Sequence, residues 1–133
     1  MPRHYLVDGY NVILQDPELD DLLDQEGLSA ARAALRGEAE RYARQSDCRI
    51  RLIYDGAVDT MSHDDRYTSA WVEDSFTSRD EKADERLVAL ALEYRRKGLP
   101  VTIVSDDREG IRVPLESAGF TLLTSAAFAR LLR

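Results

Sequence analysis

The fold of this chain is decided by one stretch near its start, HYLVDGYN at residues 4–11. The apolar run from His4 to Val7 predicts a short buried strand. Asp8 follows that strand directly, and a carboxylate in such a place costs free energy unless it binds something. In open α/β sheets, ligands bind beyond the carboxyl ends of the strands. Asp8 is therefore the first candidate for a ligand-binding residue.

Strands and helices alternate along the rest of the chain. Further strands are predicted over residues 49–54, 71–76, 101–104 and 120–123, and helices over 29–46, 82–97, 111–118 and 125–132. Ser29 and Ser125 are predicted to cap two of these helices. Residues 12–27, which contain Pro17 and Gly27, are predicted to be irregular, and residues 57–70 to form a polar loop. The alternation predicts one domain over residues 1–133, a three-layer α/β/α fold with a mostly parallel central sheet.

The composition limits the class of protein. The chain has 133 residues, of which 44% are hydrophobic and 32% charged, and this is typical of a globular domain. The net charge of -7 argues against broad, non-specific nucleic-acid binding, although metal-binding carboxylates can also make a nuclease acidic. No apolar run approaches the roughly 20 residues of a membrane span. We therefore expect no membrane segment. Because Cys48 is the only cysteine, we also expect no intrachain disulfide and a reducing compartment, the cytoplasm.

Acidic side chains recur at the predicted strand ends and at the start of one helix. They are Asp8, Asp55, Asp84, Asp106 and Asp107. If the first and fourth strands are neighbours, Asp8 faces Asp106 or Asp107 where the strand order reverses, and Asp84 enters from the adjacent helix. Several carboxylates in one cleft repel one another, and a divalent cation removes that conflict. Oxygen ligands favour Mg²⁺ or Mn²⁺, which suits phosphate chemistry.

Each of these acids also has a structural interpretation when taken alone. Asp8 can belong to a turn, and Asp55 opens a common Asp-Gly turn pair. Asp84 is favourable at the positive end of a helix. Asp106 or Asp107 can cap the helix that follows. Their combined occurrence on the ligand side of the predicted sheet favours a metal site.

Polar, basic and aromatic residues surround the predicted site. Asn11 can orient a water or the Asp8 carboxylate, or form an Asx turn, and Ser105 can bind a phosphate or act as a cap. Tyr10 and Trp71 can stack on bases or pack in the core. Four basic side chains are candidates for holding backbone phosphates, or are simply solvated charges: Arg79, Lys82, Arg108 and Arg112.

Four blocks of sequence, taken in this order, resemble the NYN domain, a branch of the PIN-like ribonuclease superfamily. The blocks are DGYNVI at 8–13, YDG at 54–56, KADE at 82–85 and VSDDRE at 104–109. The chain is most similar to the small bacterial YacP-like members, and the resemblance covers nearly all of it. The resemblance implies a PIN-like α/β/α fold, a metal-dependent endoribonuclease with Mg²⁺ or Mn²⁺ as cofactor, and RNA as partner.

The resemblance also implies residue roles. Asp8 would be a metal ligand with Asn11 as its polar partner, and Asp84 the helix acid. The strand-four acid would be Asp107, because the family usually has one Asp before an Arg, with Asp106 as an additional ligand beside it and Asp55 completing the set. Two alternatives stay open: a non-catalytic RNA- or protein-binding module, and a phosphatase or nucleotidase acting on small substrates. The sequence also leaves open whether the RNA is bound on ribosomes and which oligomer forms.

Overall fold

A computed structural model of the chain describes residues 2–56, 68–78 and 80–133. Within these residues, one sheet contains five strands: β1 (Arg3–Asp8), β2 (Cys48–Tyr54), β3 (Val72–Phe76), β4 (Val101–Val104) and β5 (Thr121–Leu123). The order across the sheet is β3-β2-β1-β4-β5, and every neighbouring pair is parallel. The predicted parallel α/β sheet is confirmed.

Helices cover both faces of the sheet. They are α1 (Gly9–Gln15), α2 (Pro17–Glu26), α3 (Leu28–Ser46), α4 (Ala83–Arg96), α5 (Val113–Ser117) and α6 (Ser125–Leu131). A π-helical turn over Arg108–Arg112 leads into α5. Among the described helices, none combines the length and the apolar character that a bilayer span requires.

The two faces of the sheet bury two separate hydrophobic clusters. Successive side chains of a strand point to opposite faces, and β1 follows this rule. Tyr5 and Val7 belong to a cluster that includes Phe128 of α6 and side chains of α1 and α3. Leu6 belongs to the other cluster, with Leu87 of α4 and side chains of α5. The sheet therefore lies between two helical layers, as the predicted three-layer fold requires.

The order of the strands reverses between β1 and β4. The chain moves outward from β1 through β2 to β3, and then returns to the other side of β1 with β4 and β5. In the register of the central pair, Val7 lies opposite Val104. The residues that follow these two strands therefore lie next to each other, which was the condition for Asp8 to face the acids after β4.

The prediction that residues 12–27 are irregular is wrong, because this segment forms most of α1 and all of α2. Asp16 is the N-cap of α2, and its side chain accepts a hydrogen bond from Glu18 N at 3.0 Å. Pro17 takes the first helical position, where its missing N–H has no cost. Gly27, with φ of 97°, separates α2 from α3. Proline and glycine thus mark helix boundaries here.

The two predicted serine caps are also wrong by one or two positions. Helix α3 begins at Leu28 after Gly27, without a capping side chain, so Ser29 lies inside the helix. Helix α6 is capped by Thr124, whose Oγ1 accepts a hydrogen bond from Ala127 N at 3.1 Å. Of the predicted polar loop, residues 57–67 lie outside the described residues.

Candidate active site

A pocket of about 520 Å³ opens at the carboxyl ends of β1, β2 and β4. Its walls are formed by Asp8, Tyr10, Asn11, Leu28, Tyr54, Asp55, Lys82, Ala83, Asp84, Asp106 and Asp107. All five of the acids predicted from the sequence therefore line one pocket. Its volume falls within the usual range for sites that bind small molecules.

Asp8 ends β1 and also caps helix α1. Its carboxylate accepts hydrogen bonds from the backbone N–H of Asn11 at 3.4 Å and from Asn11 Nδ2 at 2.9 Å. The contact from Nδ2 agrees with the alternative in which Asn11 orients the Asp8 carboxylate. It fixes the direction of the Asp8 carboxylate at the edge of the pocket.

The pKa of the Asp8 carboxyl is raised to about 6. Burial is the main cause, because it disfavours the charged form. The hydrogen bond from the Asn11 backbone acts in the opposite direction, and the negative charges of Asp107, Asp106 and Asp84 raise the pKa further. The acids are therefore close enough to repel one another in the absence of a cation.

Asp84 and Asp107 converge on the same point, above Gly110. Asp107 caps the π-helical turn, with Oδ1 accepting from Gly110 N at 3.0 Å. Asp84 lies in the first turn of α4, and its Oδ1 accepts from Glu85 N at 2.8 Å. A Cβ atom on Gly110 would lie 2.5 Å from Asp107 Oδ2 and 2.9 Å from Asp84 Oδ2. The absence of a side chain at Gly110 thus allows two carboxylate oxygens to approach each other.

The other two acids have different surroundings. Asp106 is exposed, and its Oδ1 accepts from Ser125 N at 2.9 Å, so it holds the start of α6. Asp55 is half-buried beyond the end of β2. The next residue, Gly56, donates its N–H to Thr77 Oγ1 at 3.0 Å, and a Cβ atom there would lie only 2.0 Å from the Thr77 carbonyl oxygen. Asp55 is therefore held by a tight contact with the end of β3.

The predicted phosphate-binding residues are only partly brought to the pocket. Lys82 lines it, whereas Arg108 is exposed and is not among the lining residues. Ser105 is fully buried, and its Oγ accepts from Asp107 N at 3.0 Å, which supports its capping alternative instead of the predicted phosphate contact. Arg112 Nη1 donates to the Ser105 carbonyl oxygen at 3.2 Å and so supports the same loop. Arg79 lies outside the described residues.

Sequence reasoning did not identify Gly110, Leu28 or Tyr54 as part of the site. The available signal for Gly110 was a glycine just before the predicted helix over 111–118 and close to Asp106 and Asp107, because glycine allows other groups to approach the backbone closely. Tyr54 is buried at the end of β2, and burial raises the pKa of its hydroxyl group. Trp71, which was considered for base stacking, packs against the core instead and does not line this pocket.

The residues present fit a hard divalent cation. Among the described residues, no group of three or more Asp, Glu, His or Cys side chains is close enough as it stands to hold a metal ion. However, Mg²⁺ keeps several waters and needs only one or two protein carboxylates. The two oxygens that converge above Gly110, from Asp84 and Asp107, supply that number, and Asp8 lies in the same pocket.

Comparisons with known proteins agree with this architecture. The YacP-like NYN domain model matches residues 5–133. Two crystal structures of Rae1 (YacP) from Bacillus subtilis are similar, both at 25% sequence identity. The structure of a point mutant has a TM-score of 0.80, and the match covers 99% of this chain and 75% of the Rae1 chain. The second structure has a TM-score of 0.78, and the match covers 96% of this chain and 72% of the Rae1 chain. No curated protein matches the sequence.

Nucleases with the PIN-like NYN fold generally use divalent metals. The match extends over almost the whole chain, and the parallel five-stranded sheet with flanking helices agrees with the YacP structures. This chain therefore belongs to the family of YacP-like NYN domains.

Proposed function

We propose that this protein is a metal-dependent endoribonuclease that hydrolyses RNA phosphodiester bonds with Mg²⁺ or Mn²⁺. The observation that carries the proposal is the convergence of the Asp84 and Asp107 carboxylates above Gly110, in a pocket that also contains Asp8. Family membership supports a nuclease acting on RNA. Carboxylates gathered in this way cost stability, and a catalytic site gives a reason to keep them.

The positions of the side chains support the following roles. Asp84 and Asp107 would hold the cation through their Oδ2 atoms, with Asp8 as a further ligand. A divalent cation bound there would activate a water for attack near neutral pH and would stabilise charge on the leaving oxygen. Asn11 keeps the Asp8 carboxylate in position through its Nδ2 group. Lys82, at the edge of the pocket, offsets negative charge on the phosphoryl oxygens.

Asp106 and Asp55 take supporting places in this scheme. Asp106 uses one oxygen to hold the start of α6, which leaves its second oxygen for the cation or a water ligand. Asp55 lines the β2 side of the pocket and adds to its negative charge. We also propose the cytoplasm as the location, since one cysteine is compatible with a reducing compartment.

Two other functions would use the same fold. A non-catalytic RNA- or protein-binding module would not need the acids in one pocket. A phosphatase or nucleotidase would use them on a small substrate. One assay separates the three: an RNA oligonucleotide and a set of nucleotides are incubated with the protein and Mn²⁺. The proposal predicts shorter oligonucleotides without phosphate release from nucleotides. Phosphate release alone, or no product from either substrate, would contradict it.

A further inference from the structure

Part of the pocket wall carries no charge and consists mainly of carbon atoms. It is formed by Tyr10, Leu28, Tyr54 and Ala83, and is called the apolar wall below. We propose that the apolar wall binds one unpaired nucleobase of the RNA, with the ring of Tyr10 as its stacking surface. This inference rests on the proposed function, and it specifies the kind of RNA that the site accepts.

Packing holds Tyr54, one of the four residues of the apolar wall, in place. The ring of Tyr54 is buried and stacks on Phe76, with ring centroids 5.3 Å apart and planes inclined by 26°. The ring also fills the space where Gly9 has no side chain, since a Cβ atom there would lie 2.5 Å from Tyr54 Cε1. The guanidinium group of Arg32 also lies 5.8 Å from the ring centroid. The side chain of Tyr54 therefore forms a fixed part of the apolar wall.

Tyr10 has a different environment from Tyr54. It lies in the first turn of α1, is half-buried, and lines the pocket. In the part of the chain that the structure describes, none of the ring–ring or cation–ring contacts involves Tyr10. Its ring is thus an aromatic surface on the pocket that the protein does not use for its own aromatic packing.

The net charge of the protein favours stacking as a source of RNA affinity at this pocket. With a net charge of -7, the chain cannot hold RNA by general attraction to the backbone. Lys82 is the only Lys or Arg among the residues that line the pocket in the described part of the chain. Bases are uncharged and carry a π-face, so stacking on an aromatic ring gives affinity where phosphate contacts are few. The apolar wall provides such a ring in Tyr10.

The position of Tyr10 links the base to the reaction. It follows Asp8 by two residues, and both residues line the pocket. A base on Tyr10 would therefore belong to a nucleotide next to the phosphate that is attacked. A paired base in a duplex cannot enter a pocket without leaving the stack. The RNA accepted should be single-stranded at this nucleotide.

The test is a thermodynamic cycle between the protein and the RNA. Affinities are measured by fluorescence anisotropy for labelled RNA hexamers, each with one base removed at a different position. All proteins carry Asp84→Asn, which the proposed function makes inactive, so that RNA stays intact. The series compares Tyr10, Tyr10→Phe and Tyr10→Leu. Tyr94→Leu is the matched control, because Tyr94 is half-buried on α4 and contacts His4 at a different surface.

We expect one hexamer position at which loss of the base weakens binding by about fivefold or more, in line with the stacking of one base. Removing that base should change the affinity of Tyr10→Leu little. The weakening should persist in Tyr10→Phe and Tyr94→Leu. The inference is overturned if no position shows coupling to Tyr10. It is also overturned if Tyr94→Leu removes the coupling equally, or if a mononucleotide competes as strongly as the intact hexamer.

Failure of this inference is distinguishable from failure of the proposed function. Cleavage of the intact hexamer is measured separately with the unmodified protein and Mn²⁺. Cleavage without base coupling to Tyr10 would overturn the base site and leave the nuclease proposal standing. Base coupling without cleavage would overturn the nuclease proposal and leave an RNA-binding module with the same base site.

Discussion

Replacing Asp8 by Asn should stabilise the metal-free protein, and the pKa of this carboxyl sets the magnitude. Folding raises that pKa from 3.8 to about 6, mainly through burial, with contributions from the charges of Asp107, Asp106 and Asp84. A rise of about 2 units corresponds to roughly 3 kcal/mol of unfavourable free energy for the ionised group. Asn has no charge, but it keeps only one oxygen for the two N–H donors of Asn11, so one of these hydrogen bonds is lost and offsets part of the gain. We therefore expect a gain of about 1 to 3 kcal/mol at pH 8.

The sign of the effect determines its dependence on pH. Because the pKa of Asp8 is higher in the folded state, folding is favoured when the group is protonated. The protonated Asp8 carboxyl therefore makes its full contribution to stability below about pH 4, and this contribution is lost as the pH rises through about 6. The gain from Asp8→Asn should thus be largest at pH 8 and disappear near pH 4. Asp74, whose pKa burial also raises to about 6, keeps its own pH dependence in the variant.

Denaturant unfolding in the presence of a chelator, at pH 8 and pH 4, measures this prediction. Asp24→Asn is the control, because it removes one negative charge from an exposed position of α2. The reasoning is refuted if Asp8→Asn is less stable than the wild type at pH 8, or if Asp24→Asn gains as much. An equal gain at both pH values would also refute it.

Three further changes have defined outcomes. Gly110→Ala should abolish the rise in Tm that Mn²⁺ causes, because its Cβ must displace one of the two converging carboxylates; Gly37→Ala, where nothing lies within 4 Å of the new Cβ, should leave it intact. An unchanged Tm rise in Gly110→Ala would count against the metal site. Lys82→Gln should weaken RNA binding and lower the slope of log affinity against log salt by about 1, whereas Arg108→Gln should change both less. Equal effects of these two substitutions would show that the RNA does not bind at the pocket lined by Lys82. Gly56→Ala should lower stability by more than about 2 kcal/mol, since its Cβ meets a backbone oxygen at 2.0 Å, and denaturant unfolding that shows wild-type stability would contradict this contact.

The alternation of strands and helices was readable from the sequence because the sheet is buried on both faces. Apolar runs such as Val101–Val104 therefore appear as compact blocks, and the structure gives this strand the predicted bounds. The segment after Asn11 was misread for an equally physical reason. Asp16 and Pro17 start a helix when the aspartate can cap it, but the same pair also occurs in turns.

The grouping of the acids was also predictable, because parallel strands bring their carboxyl ends to one edge of the sheet. What could not be predicted is how each acid uses its two oxygens. Asp106 and Asp107 are neighbours in sequence, yet one reaches the start of α6 and the other caps its own turn. That difference depends on where α6 packs, and so on contacts distant in sequence. Likewise, only the structure shows that Arg112 is engaged by the Ser105 carbonyl group.

The most direct test of the central claim is the rate at which the wild type and Asp84→Asn cleave a single-stranded RNA. Both proteins are first treated with a chelator and then assayed with and without added Mn²⁺. The account predicts that the wild type cleaves only after Mn²⁺ is restored. It also predicts that folded Asp84→Asn is at least about 100-fold slower, since losing a metal ligand should cost no less than losing a residue that hydrogen-bonds to a ligand. Cleavage that persists in the chelator, or wild-type rates from Asp84→Asn, would contradict it.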